Sequence, residues 1–188
     1  TVIESRLYFL KYTLNSLITQ TFRPKKIIVN YDDSIDQSRI EIFVKLYKDD
    51  GVVFRQVENY GSHKKYLFLN DEERKLRVLL CDDDMIYDKW LIEHLIKSSI
   101  NNTSYVSTLF GYKMCDDKNN ILKREDWKFL LKCNNKSNLY FFTGNAFTLY
   151  PKNFFDDNIL CKKDILFNFK NPETGVIGYD DSWLNFHR

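Results

Sequence analysis

Excess charge of either sign is what this chain lacks most: 28 Lys and Arg stand against 26 Asp and Glu over 188 residues, a net charge of +2. So even a balance gives no electrostatic case for nucleic acid as a partner, which needs positive charge gathered to meet phosphate. Local clusters do occur, at Arg23-Pro24-Lys25-Lys26 and His63-Lys64-Lys65, and most such clusters are solvated surface. Cysteine is also sparse. Cys81, Cys115, Cys133 and Cys161 are widely spaced, with neither a CxxC pair nor a metal-ligand pattern. They read as reduced thiols in a cytosolic setting. No apolar run approaches the length of a membrane span, and no signal peptide is visible. Internal repeats, low-complexity linkers and an early glycine-rich phosphate loop are missing too. Glycosylation sequons at Asn101, Asn102 and Asn135 arise easily by chance in an Asn-rich chain and do not establish secretion.

What is present suits one globular domain. Hydrophobic residues make up 44% and aromatics 16%, enough for a substantial core and more typical of an enzyme than of a disordered binder. The chain begins at Thr1 and ends at Arg188 within a helical pattern, as a fragment would. Segments outside it leave room for peripheral membrane association at the inner face.

Periodicity supplies the elements. Leu7, Leu10, Leu14, Leu17 and Ile18 predict an amphipathic helix over about 6–20. Pro24 breaks it, and 26–31 reads as a strand ending in Asp32-Asp33-Ser34. A second helix carries Ile40, Phe43, Val44 and Tyr47; Gly51 stops it, and 52–57 is the next strand. The Gly61-Ser62 turn opens a helical segment bearing Lys64 and Lys65. A strand through Leu80 follows, then a helix with Asp88 as N-cap and Leu91, Ile92, Leu95 and Ile96 on its apolar face. Such alternation predicts an α/β domain with a mostly parallel central sheet flanked by helices. Farther on, 105–109 and 139–150 read as strands with a bend at Gly144, and 118–138 as a polar loop or insertion.

The most informative feature is Asp82-Asp83-Asp84, directly after the apolar run Val78-Leu79-Leu80-Cys81. A buried strand would deliver these carboxylates to a sheet edge, where ligands bind in open α/β folds. Clustered carboxylates repel one another and call for a cation to offset the cost. Mg²⁺ or Mn²⁺ fits, because hard ions take oxygen ligands and share them with substrate phosphates. A solvated acidic turn is the plainer alternative. A second acidic pair, Asp180-Asp181, precedes Ser182-Trp183-Leu184.

Taken in order, these segments resemble glycosyltransferases of the GT-A fold, in particular inverting, family-2-like enzymes of bacterial polysaccharide and lipopolysaccharide assembly. Thr1-Val2-Ile3-Glu4-Ser5-Arg6 is similar to their Thr-x-Pro-x-Arg segment, without the proline. Leu14-Asn15-Ser16-Leu17-Ile18-Thr19-Gln20 with Pro24 and Ile27-Ile28-Val29 resembles their SLxxQ…P…IIV run. Gly61-Ser62-His63-Lys64-Lys65 is similar to Gly-Ser-x-Lys-Lys, and Asp82 to Leu91 to the "DDDxxY…WL" form of the DXD motif. Thr143-Gly144-Asn145 before Leu149-Tyr150-Pro151 matches the acceptor-side strand, and Asp180 to Leu184 matches "DDxWL".

The resemblance implies a single catalytic domain over 1–188, with a nucleotide-binding half (1–100), an acceptor-side half (101–188) and a first strand ahead of Thr1. It implies a nucleotide-sugar donor, UDP-linked by expectation, and a glycan or lipid-linked saccharide acceptor. Asp82 would contact ribose or base and share a divalent metal with Asp84, with His187 completing the metal shell; Asp83 would point elsewhere. Thr1, Arg6, Lys64 and Lys65 would lie on the donor side, the cations facing phosphate. Asp33 serves equally as a base contact or as a helix cap. Asp181, or failing it Asp180, would be the general base, and Trp183 core. A haloacid-dehalogenase-like phosphatase is the enzymatic rival, with Asp82 as nucleophile, Asp84 as acid/base and Ser107 or Thr108 in a later motif. A domain that binds nucleotide or glycan without turnover is the non-enzymatic one.

Overall fold

The computed structural model describes residues 1–101, 103–131, 139–143, 147–175, 177–178 and 180–186. The first half alternates as the periodicity predicts: α1 (Leu7–Ile18), β1 (Ile27–Tyr31), α2 (Gln37–Leu46) and β2 (Val52–Gln56). A 3₁₀ turn (Gly61–Lys65), α3 (Asp71–Arg74), β3 (Val78–Leu80) and α4 (Leu91–Ser98) follow. The second half adds β4 (Gly111–Lys113), β5 (Lys128–Leu130), β6 (Tyr140–Phe142), β7 (Thr148–Tyr150), α5 (Lys162–Phe169) and α6 (Asp180–Phe186).

Parallel pairing is found between β1 and β2, in the register Ile27 with Val52 through Tyr31 with Gln56. The other described strand pairs are antiparallel: β3 lies against β7, and β4 between β5 and β6. β5 falls inside the stretch read from sequence as a polar loop, because Trp127 and Phe129 carry ring contacts to Phe141, Phe110 and Tyr112 that polar counting overlooks. Within 105–109 the strand reading shrinks to one bridge, Ser107 with Leu149. The proposed bend at Gly144 lies outside the described residues.

Three apolar clusters hold these layers. Leu7, Leu10 and Leu14 of α1 pack on Val29 and Tyr31 of β1 and on Ile40 and Tyr47. Leu17 joins Tyr87, Ile92, Leu95, Phe147 and Leu149. The largest gathers Tyr66, Leu80, Phe142, Tyr150, Phe155, Ile165, Trp183 and Leu184, so Trp183 is core as expected. Each such side chain contributes about 1.5–3 kcal/mol when fully buried. Val44, read from spacing as part of the apolar face of α2, is 43% exposed. Between β1 and β3 runs a narrow apolar slot of about 70 Å³, floored by Leu10, Leu14 and Leu17, with Thr1, Lys65, Asp82 and Asp83 among its lining.

Candidate active site

The acidic loop after β3 is fixed by polar side chains of α1 and by Gln20 just past its end. Thr13 and Ser16 lie one turn apart on one face of α1, and all three are buried. The Thr13 hydroxyl donates to the Asp83 carbonyl (2.8 Å), and the Ser16 hydroxyl accepts from the Tyr87 amide (3.1 Å). Gln20 donates to the Asp88 carbonyl (2.8 Å) and accepts from the Ile92 amide (3.0 Å). The Tyr87 hydroxyl folds back to accept from the Asp82 amide at 2.9 Å. Asp88 is not the N-cap of α4: its carboxylate accepts from the Trp90 amide (2.9 Å), closing a turn that delays the helix to Leu91.

That geometry sorts the three carboxylates. Asp83 is buried and Asp82 and Asp84 are half-buried. Arg6, at the entry to α1, reaches both Asp83 (3.3 Å) and Asp84 (3.2 Å). The second oxygen of Asp83 is buried without a hydrogen-bond partner. Lys65 is ion-paired to Asp82 and stands 3.4 Å from Asp180. One ammonium therefore joins the end of β3 to the start of α6.

α6 is held from its far side. Trp183 donates to the Ile159 carbonyl (2.8 Å), and Asn185 exchanges hydrogen bonds with the Phe142 amide and carbonyl (3.1 and 2.7 Å). Asp180 is 8% exposed and Asp181 half-buried. Burial pushes the Asp180 carboxyl up, but the Lys65 charge and a hydrogen bond from Ser62 outweigh it and hold the group below its ordinary 3.8. Burial likewise lowers Lys65, yet Asp180 and Asp82 raise it further, well above 10.5. Both groups are charged across the neutral range.

Of the residues selected from sequence, Arg6, Lys65, Asp82, Asp83, Asp84 and Asp180 come together in these two linked ion-pair groups. Thr1 stands beside them, its hydroxyl donating to the Asn30 carbonyl (3.0 Å). Lys64, expected on the donor side, does not join them. It is fully buried and paired with Asp32, because the turn aims successive lysines to opposite sides. Asp33 is exposed, and Asp32 is the aspartate that faces inward at the end of β1. Hydrogen bonds from Lys64 and Ser34 outweigh burial and hold Asp32 below the ordinary carboxylate range. His187 lies outside the described residues.

An oxygen-only donor pair, Asp82 and Asp84, suits a hard divalent ion. Among the described residues no three His, Cys, Asp or Glu groups converge to hold one. Asp82 and Asp84 would hold such an ion, with diphosphate oxygens and water supplying the rest, as is usual for Mg²⁺.

Comparison with protein families decides the class of chemistry. Residues 6–159 match the family model for glycosyl transferase family 2. The chain belongs to that family. No curated protein matches the chain closely. Membership makes the α/β domain a GT-A fold and the protein a glycosyltransferase that takes a nucleotide-sugar donor and an acceptor. The phosphatase alternative falls with it: Ser107 bridges Leu149 through its backbone, and Thr108 donates to the Phe110 carbonyl. The family match spans the lysine turn and the acidic loop and ends before Asp180 and Asp181.

Proposed function

We propose that this family-2 glycosyltransferase is metal-dependent and inverting, and that it moves a sugar from a UDP-linked donor to a glycan or lipid-linked saccharide. The observation that carries the reading is the lysine shared by Asp82 of the acidic loop and Asp180 of the C-terminal pair. It brings a donor-side carboxylate and the acceptor-side acids to one point.

In this reading Asp82 and Asp84 hold the ion, which when bound offsets negative charge on the departing diphosphate. Arg6 and Lys65 contribute fixed positive charge beside the same oxygens. Asp180 is committed to Lys65 and Ser62 and held low. The proposed proton acceptor is Asp181, half-buried at the next position. The acceptor hydroxyl oxygen forms its bond to the anomeric carbon as the carbon–oxygen bond to the diphosphate breaks. The hydroxyl proton passes to Asp181, and the nucleoside diphosphate leaves with the bonding electrons.

Thermal unfolding with nucleoside diphosphates, in Mn²⁺ or in EDTA, tests the donor site in wild type and Asp84→Asn. At about 100 Kd a native-state ligand adds about 2.7 kcal/mol, which for a chain of this size raises Tm by roughly 5–10 °C. The expected result is a rise for one nucleotide that needs Mn²⁺ and is absent in the variant. No response to any nucleotide would overturn the reading. Binding without release of sugar would mark a domain that recognises its ligand without turnover.

A further inference from the structure

His63 is fully buried in the middle of the lysine turn, yet the chemistry above does not use it. Its Nε2 lies 2.8 Å from the Gly178 carbonyl and its Nδ1 2.6 Å from the Tyr66 hydroxyl. A carbonyl can only accept, so Nε2 carries the hydrogen; Nδ1 is then an acceptor and the Tyr66 hydroxyl donates to it. The ring packs on Tyr66 and Phe169, at centroid separations of 5.8 and 5.6 Å. The charged groups facing it are Asp180 and Lys65, whose effects oppose each other, and burial keeps the imidazole below its ordinary 6.5.

Three side chains of the turn act on the same stretch of chain. His63 holds the Gly178 carbonyl and Lys65 pairs with Asp180, whose carboxyl Ser62 helps to hold low. The contact is close enough to require glycine at its start. Gly61 has φ +55, and a Cβ there would lie 1.9 Å from the Ile177 carbonyl oxygen. Ser62 and Lys65 act on a charged side chain that substrate can also perturb. His63 alone acts on the backbone.

We propose that His63 is a positioning residue: as a neutral Nε2–H imidazole it fixes Gly178, and with it the acidic start of α6, against the turn that carries Lys65. The role of that acidic start rests on the transferase reading, whereas the mechanical link does not. Loss of the link lets α6 drift from the donor loop without removing a group that touches donor.

The test compares wild type, His63→Leu, His63→Gln and Tyr66→Phe in the full chain. Imidazole ¹⁵N spectra of wild type should place the hydrogen on Nε2, and a hydrogen on Nδ1 instead would overturn the proposal. Amide hydrogen exchange is then followed over 180–186, with α1 as internal reference. In His63→Leu exchange there should quicken roughly 10- to 100-fold, since a buried carbonyl is orphaned. His63→Gln, whose amide nitrogen reaches a similar position, should recover most of this. Unchanged exchange in His63→Leu, or no recovery in His63→Gln, overturns the proposal. If His63→Leu does not fold, Tyr66→Phe decides, because it removes one hydroxyl: several-fold faster exchange supports the proposal and unchanged exchange overturns it. Release of nucleoside diphosphate from UDP-sugars supplies the second readout. kcat should fall by the same order in His63→Leu, with KM for donor within about threefold. A wild type that binds and turns over no nucleotide sugar, while α6 still loosens in His63→Leu, upholds the link and removes the transferase reading instead.

Discussion

Lys65 is ion-paired to Asp82 and lies 3.4 Å from Asp180, so a single ammonium neutralises carboxylates separated by most of the second half of the chain. Its side chain is 10% exposed and that of Asp180 11%. Breaking so buried a pair costs more than making it gains, because the surviving charge stays desolvated.

Lys65→Met should therefore lower stability by about 3 kcal/mol, the low end for a broken buried pair. The difference from wild type has a defined pH window. Asp180 is depressed in the fold, so its contribution is present above its ordinary 3.8 and is lost as pH falls through the lower folded value. Lys65 is raised, so its contribution is full below 10.5 and lost as pH rises through the higher folded value. Urea unfolding of both proteins should give a flat difference over pH 5–9 that shrinks below about pH 4. A difference that grows toward acid would contradict the pairing.

Gln20→Ala probes the brace behind the acidic loop. Gln20 serves the Asp88 carbonyl and the Ile92 amide from a fully enclosed position. Removing it should cost about 1–3 kcal/mol by urea unfolding. Calorimetry should also show nucleoside diphosphate binding weakened several-fold, since the loop bearing Asp82 and Asp84 loses its anchor. A stability loss with unaltered binding would mean that the brace serves α4 alone.

This brace also shows where sequence reading reached its limit. The Leu stripe of α1 predicts the helix and its core face, and the helix lies within the predicted span. Thr13 and Ser16 interrupt that face and Gln20 follows its end, and their partners are backbone groups some 70 residues away, which periodicity cannot reveal. The acidic loop was legible because strand, carboxylates and helix are consecutive. The choice between Lys64 and Lys65 was not, because it depends on which way a 3₁₀ turn faces. β1 and β3 flank an apolar slot and are not hydrogen-bonded to each other. Antiparallel pairing of β3 with β7 is non-local, and no local pattern encodes it.

Asp180 and Asp181 should separate in kinetics. Asp181→Asn should lower kcat for sugar transfer by about 10²–10⁴, the usual worth of a general base, with donor KM within about twofold. Asp180→Asn should instead lower stability, because it leaves Lys65 with a neutral partner at 3.4 Å. Steady-state kinetics alongside urea unfolding distinguishes them. A larger kinetic loss in Asp180→Asn, with the stability loss in Asp181→Asn, would reverse the two roles.

In the proposed reading Arg6 and a divalent ion compete for the Asp84 carboxylate. The guanidinium stands 3.2 Å from Asp84, and its side chain is 46% exposed. A pair this open is worth under about 1 kcal/mol after solvent screening. Arg6→Ala should then tighten Mn²⁺ binding to the nucleotide-free protein by about fivefold or less, read from free Mn²⁺ by electron paramagnetic resonance. The same variant should bind nucleoside diphosphate more weakly in saturating Mn²⁺, because phosphate loses a cation that can reach it. The opposed signs are what matter: metal affinity rising while nucleotide affinity falls assigns Arg6 to the diphosphate. If both weaken together, Arg6 serves to hold the buried Asp83 in place.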